Sequence, residues 1–235
     1  MAALLPEIPQ VEAAIFEMTN TYRVEQKLAA VKPSPALTAA ARAYADYLAR
    51  TNSFAHDADG RTISDRVRAA GYSFCLVSEN LARSSDSRGF ASRELARTTV
   101  EGWVNSPGHR RNIEAPGVTE TGVAVARVPD KDPKYVAVQL FARPRSLAFD
   151  VQIANSTKSR VTYSFDGQRH ELAPSMASTH TVCQPASVVF EKAVAGTRTT
   201  TMSARYETAA PQNYVISTGK DGKPAIAVEA RRQIK

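Results

Sequence analysis

Two of the four histidines, His56 and His109, stand in stretches built like parts of a site. His56 follows Phe54-Ala55 and precedes the polar run Asp57-Ala58-Asp59-Gly60. His109 follows Ser106-Pro107-Gly108, where the backbone bends sharply and a new helical turn can start at Arg110-Arg111-Asn112. Between them, Ser78-Glu79-Asn80 sets a carboxylate among Leu76, Val77 and Leu81. Two imidazoles and a carboxylate can face a divalent ion and leave a position open for water or substrate. Without a metal, the same groups can act as an acid–base pair with an orienting partner. The spacings match no compact metal motif. A plainer account therefore stands beside the chemical one: surface or capping histidines, and a glutamate paired with Arg66 or Arg83.

Groups this far apart meet only if a fold carries them to one place. Val11, Ile15, Met18 and Tyr22 recur at three- and four-residue steps and predict one face of a first helix. A second is expected from Ser34-Pro35, a capping residue followed by proline, with Leu37, Ala41, Tyr44 and Leu48 on its apolar face. A short third helix is expected over 62–70, stopped at Gly71, and a fourth over about 89–104, broken by Pro107 and Gly108. Residues 122–127 and the alternating 135–140 read as an antiparallel pair around a turn at 129–133. Helices first and a hairpin after predict α+β layering, with helices packed on a small sheet.

Composition shifts near Arg143-Pro144-Arg145-Ser146, from Ala-rich and helix-like to rich in Thr, Ser and Val, so domains are expected over 1–145 and 146–235. The second part reads as all-β, with strands at 151–153, 161–165, 179–183, 188–190, 199–206, 214–218 and 225–229. Turns fall at 155–159 and 166–167, and Asp221-Gly222 is a hairpin signal. A small sandwich or barrel follows.

With 235 residues, 43% hydrophobic and 23% charged, the chain is neither disordered nor collagen-like. No apolar run approaches the ~20 residues of a transmembrane helix. The net charge of +7 is spread over both parts, with no basic tract interleaved with aromatics. That argues against nucleic acid and leaves solubility or loose adhesion to anionic surfaces. Cys75 and Cys183 form no Cys-x-x-Cys pair; an interdomain disulfide in an oxidising compartment and two buried free thiols are equal alternatives. The start of the chain lacks the charged stretch and apolar core of a signal peptide, which leaves a cytoplasmic protein or a mature chain with an added Met.

Other notable residues have structural readings. Trp103, Tyr44, Tyr47 and Phe54 are expected in the core, Asn80 as the hydrogen-bonder holding a Glu79 loop, and Arg66 as a buried charge partner. His170 and His180 are expected on the surface of strands. Ser106 lacks a Gly-x-Ser-x-Gly elbow, so a serine hydrolase is a poor fit.

One longer pattern carries more. It runs Asn20…Arg23…Leu28, then Phe54-Ala55-His56…Asp59-Gly60-Arg61…Asp65-Arg66…Ala70-Gly71-Tyr72, then Glu79-Asn80-Leu81-Ala82. The run from Trp103 through Asn105-Ser106-Pro107-Gly108-His109-Arg110-Arg111-Asn112-Ile113 and the close Glu120-Thr121-Gly122-Val123-Ala124 complete it. In order and spacing this resembles the CAP superfamily (cysteine-rich secretory proteins, antigen 5 and pathogenesis-related proteins; the SCP-like domain), nearest its cysteine-poor bacterial branch. The match covers about 11–143. The resemblance implies an α-β-α sandwich with a cleft holding His56, Glu79 and His109, which in many members binds zinc or another divalent cation. Animal relatives often carry a second glutamate three residues after the tryptophan; Ser106 stands there, and Glu101 lies on a different helical face. Ser78 replaces the usual glycine before the Glu-Asn pair. Export is implied, and with it a secreted or periplasmic location.

Three functions follow. The first is a CAP-domain protein whose open His/Glu cleft binds a divalent metal, a small ligand or a cell-envelope partner, with the β-rich part adding contact surface for protein, lipid or polysaccharide. The second is a metal-assisted hydrolase, protease-like, in which His56, Glu79 and His109 are both metal ligands and catalytic groups. The third is an interaction protein whose β domain does the work.

Overall fold

Proline opens most of the helices because its fixed φ suits a first helical turn, where no N–H donor is needed. In the computed structural model, which describes residues 3–193, 200–220 and 224–231, α1 (Ile8–Glu25), α2 (Pro35–Thr51) and α5 (Pro107–Glu114) all start this way. Ser34 stands at the cap position of α2, but its side chain accepts no capping bond. The helix α3 (Ile63–Ala69) is instead held by a capping box between Thr62 and Asp65, and the left-handed Gly71 (φ 78°) follows its end. Pro107 ends α4 (Ser92–Asn105) yet begins α5 at once, so His109 sits in a helical first turn rather than in the expected break.

The chain divides into two compact units, Met1–Ser146 and Leu147–Lys235. In the first, β1 (Lys32–Pro33), β2 (Phe74–Ser85), β3 (Glu120–Val128) and β4 (Lys134–Pro144) form one sheet in the order β1-β3-β4-β2. The β3–β4 pair is the expected hairpin; β2, not foreseen as a strand, pairs antiparallel along the other side of β4. Both faces of the sheet are covered. Ala124, Val136, Val138 and Leu140 pack with Leu37, Ala41, Tyr44 and Leu48 of α2, while Val123, Val125, Ala137 and Phe141 pack with Val11 and Ile15 of α1 and Leu95 and Trp103 of α4. This is the α-β-α sandwich. Gly122 is required by contact: a Cβ there would lie 2.2 Å from the carbonyl carbon of Leu37. The buried Gln139 is satisfied by the Thr19 and Thr121 hydroxyls.

The second unit has two four-stranded sheets around one core. One is ordered β10 (Thr200–Thr208), β9 (Ala186–Ala193), β6 (Val161–Phe165), β7 (Gln168–Leu172). The other is β12 (Pro224–Ala230), β11 (Gln212–Thr218), β5 (Phe149–Asn155), β8 (Ala177–Val182). The polar β7 was not expected; positive φ at both Asp166 and Gly167 turns β6 tightly back onto it. The hairpin signal at Asp221-Gly222 lies outside the described residues. His170 and His180 are not on the surface: each falls on the inward side of its strand, opposite Tyr163 and Val151, and both are half-buried.

Candidate functional site

Glu79 is the fixed point. It lies in the middle of β2, not in a loop, and its side chain is wholly enclosed. Such a carboxylate needs compensation, because burying an unpaired charge costs several kcal/mol. Arg66 supplies it from α3, where its Nη2 donates to both Glu79 oxygens at 3.2 and 3.0 Å. The same guanidinium binds Asp59 (2.9 Å), donates to the His56 and Arg61 carbonyls, and lies 3.5 Å from the Tyr44 ring centroid. Arg66 thereby pins the 56–61 turn to the sheet. His56 Nδ1 meets Glu79 Oε1 at 2.8 Å, while about half of its side chain (52%) stays exposed. Of the two accounts of Glu79 open in the sequence, both apply: it is paired with Arg66, and it orients an imidazole.

His109 approaches from the other side of β2. Asn80, wholly buried, donates to the His109 carbonyl at 3.1 Å. Asn112, one turn on, donates to the Glu79 carbonyl (3.1 Å) and to Asn80 Oδ1 (2.8 Å). At the far end of α5, the buried Arg23 of α1 donates to the carbonyls of Ile113 and Ala115. Two amides and a guanidinium therefore set the position of the helix that carries His109. The His109 Nδ1 is buried without a hydrogen-bond partner among the described residues.

Electrostatics join the three. Burial pushes the Glu79 carboxyl up from its ordinary value, against the opposing pull of His56 and Arg66. Burial lowers His109, and a charge on His56 lowers it further, so the imidazoles are electrostatic neighbours. The structure brings His56 and Glu79 into direct contact. It ties His109 to them through charge and through the side-chain amides of Asn80 and Asn112, which donate to the His109 and Glu79 carbonyls, and not, among the described residues, through a hydrogen bond to the His109 ring. Among the described residues, no group of three His, Cys, Asp or Glu is placed to hold a metal ion. The donors that remain are imidazole nitrogens: His56 Nε2, since Nδ1 faces Glu79, and the buried, unpartnered Nδ1 of His109.

Arg66, Asp59 and Asn112 complete the site. All three stand in the runs that carry the family resemblance, but nothing in their types or spacing shows that they meet at β2. Tyr44 and Trp103 are core residues as expected, with Trp103 Nε1 donating to the Leu81 carbonyl. Phe54 is not: it is 45% exposed, with the Arg83 guanidinium 4.6 Å from its ring centroid. Glu101 is exposed on α4.

A family model, the cysteine-rich secretory protein family, matches residues 16–141, more than half of the chain. An uncharacterised Bacillus subtilis protein, YkwD, is 29% identical over 113 residues, 48% of this chain and 41% of that protein, so the chain matches less than half of that relative's length. An outer surface protein of Borrelia burgdorferi is 22% identical with a TM-score of 0.49, over 57% of this chain and 92% of that one. An extracellular SCP-domain protein of Bacillus anthracis is 28% identical with a TM-score of 0.48, over 58% of this chain and 41% of that one. The signature runs, the three-layer sandwich and the family match agree: the chain belongs to the CAP, or cysteine-rich secretory protein, family.

Proposed function

We propose that this chain is an extracytoplasmic binding protein whose cleft presents His56 and His109 to a ligand, with Glu79 as a positioning residue behind them. One observation carries this reading: the carboxylate is enclosed and the imidazole in front of it is exposed. The Glu79 side chain is enclosed and both its oxygens are engaged by Arg66 or His56, so a general-base or nucleophilic role for Glu79 fits poorly. What faces outward is an imidazole fixed in tautomer and direction by a buried acid.

That arrangement suits a divalent cation such as zinc. His56 and His109 would hold it, and Glu79 would orient His56 from outside the coordination shell. A bound cation would supply Lewis acidity toward an oxygen of a ligand. The location is supported by the secretory family and by similar proteins described as outer-surface and extracellular. No helix among the described residues is long and apolar enough to cross a membrane. The β-rich unit would add contact surface for an envelope protein or polysaccharide.

Calorimetric titration with Zn²⁺ tests the cleft. Wild type takes up the ion at sub-millimolar concentration, His56→Ala and His109→Ala lose it, and Glu79→Gln binds about 10–100-fold more weakly. No uptake of zinc, copper, magnesium or calcium removes the cation from the reading. Hydrolysis of peptide, ester or glycan panels that disappears in the same histidine variants would establish the hydrolase instead.

A further inference from the structure

Arg66 also lines a cavity of about 480 Å³ between α2 and the end of α3. Its floor is small: Ala39, Ala40 and Ala43 on one stripe of α2 face Ala69 and Ala70, and none reaches beyond a methyl group. Its wall is aromatic. Tyr44 and Tyr47 stack with centroids 6.3 Å apart and planes 9° from parallel. Their hydroxyls are already used, Tyr44 with the Ala55 carbonyl and the Ala58 N–H, Tyr47 with the Ala58 carbonyl, so the rings offer apolar surface.

The charge around this apolar space is unbalanced. Asp59 is the one carboxylate lining it, and it is paired with Arg66, whose other partner is Glu79. Arg50 and Arg61 also line the cavity and are exposed. Among the described residues no carboxylate lies within ion-pair distance of either; Arg50 lies 5.6 Å from the Tyr47 ring centroid. An apolar slot of ligand size with two guanidinium groups at its edge, neither in an ion pair among the described residues, suits a flat apolar body carrying an anionic group.

We propose that the cavity between α2 and α3 binds small aromatic carboxylates, the ring lying among the alanines and tyrosines and the carboxylate meeting Arg50 and Arg61. Neither His56 nor Glu79 lines this cavity, and the proposal stands whether or not they bind a cation, although Arg66 and Asp59 belong to both sites.

Calorimetry of the whole chain with 2-naphthoate, and with the neutral 2-naphthalenemethanol as control, decides it. The carboxylate binds wild type, the alcohol at least tenfold more weakly, and 500 mM salt weakens the carboxylate against 50 mM because the guanidinium groups are exposed. Arg50→Glu with Arg61→Glu lowers carboxylate affinity at least tenfold, and Ala43→Phe, at an exposed position, blocks the slot. Circular dichroism verifies that these variants remain folded. Zn²⁺ uptake by Ala43→Phe, measured in parallel, equals that of wild type if the cleft binds the ion, so the two sites fail independently. The proposal is overturned by no carboxylate binding at 5 mM, by equal affinity for the alcohol, or by folded variants that bind as wild type does.

Discussion

In the helical unit a histidine meets a buried acid; in the β-rich unit a histidine meets rings. His56 rests on Glu79, and Glu79 on Arg66, so an ionic chain runs from solvent into the interior. His180 lies face-on against Phe165, with centroids 4.0 Å apart, edge-on to His170 at 4.9 Å, and 2.9 Å from the Tyr163 hydroxyl. Among the described residues, ion pairs of the second unit stay outside: in Arg205–Glu207 both side chains are about 60% exposed. The lesson is one of compensation. A buried carboxylate survives here beside an opposite charge, and the buried Arg23 under backbone carbonyls, whereas an imidazole can enter an aromatic core by staying neutral.

The largest test removes the compensation. Arg66→Ala leaves Glu79 enclosed and without its guanidinium, and urea denaturation should show a loss of about 3–5 kcal/mol. A loss under about 1 kcal/mol would mean that water reaches the carboxylate, and the contrast between the units would fail. Glu79→Gln keeps the shape and removes the charge; about 1.5–3 kcal/mol is expected, as for charged hydrogen bonds, together with weaker ordering of the His56 ring by NMR.

The β-rich unit should answer to pH instead. Burial first, and then His170, lower the His180 pKa below its ordinary 6.5, while Asp166 pulls the other way. A base depressed on folding binds fewer protons in the native than in the unfolded state, so its stabilising contribution is complete above about pH 6.5. That contribution is lost as pH falls through 6.5 toward the depressed value. Thermal melts followed by tyrosine signals of this unit should drop on acidification, and His180→Phe, which keeps the stack on Phe165, should flatten the dependence. The smallest effect belongs to the exposed pair: Arg205→Ala should change stability by no more than about 0.5 kcal/mol. A larger change would show that the second unit also relies on charge.

Much of the first unit is visible along the chain. Periodicity marks α1 and α2, the α3 stop falls at Gly71, and alternation marks β4. Several elements, the short β1 among them, are not visible in whole or in part, and three show why. The strand β2 is flanked on both sides by packed helices and carries Glu79-Asn80 at its centre, so it shows no alternation and a poor strand composition. Pro107-Gly108 reads as a breaker because the same residues that end one helix can begin the next. The strand β7 is polar and is recognised only by its partner β6.

The candidate site divides the same way. His56, Glu79 and His109 stand out through the family pattern, not through their own spacing. That Arg66 rather than Arg83 neutralises Glu79, and that Asn80 and Asn112 hold the backbone at His109, is visible only in the fold.

Turns, helix starts and apolar faces were written locally, because dihedral preference and amphipathic period act over a few residues. The environment of each charge was not. Whether Glu79 is enclosed, and what stands opposite it, depends on where α3 and the 56–61 turn cross β2. The energy of that ion pair arises only when packing removes the water around it.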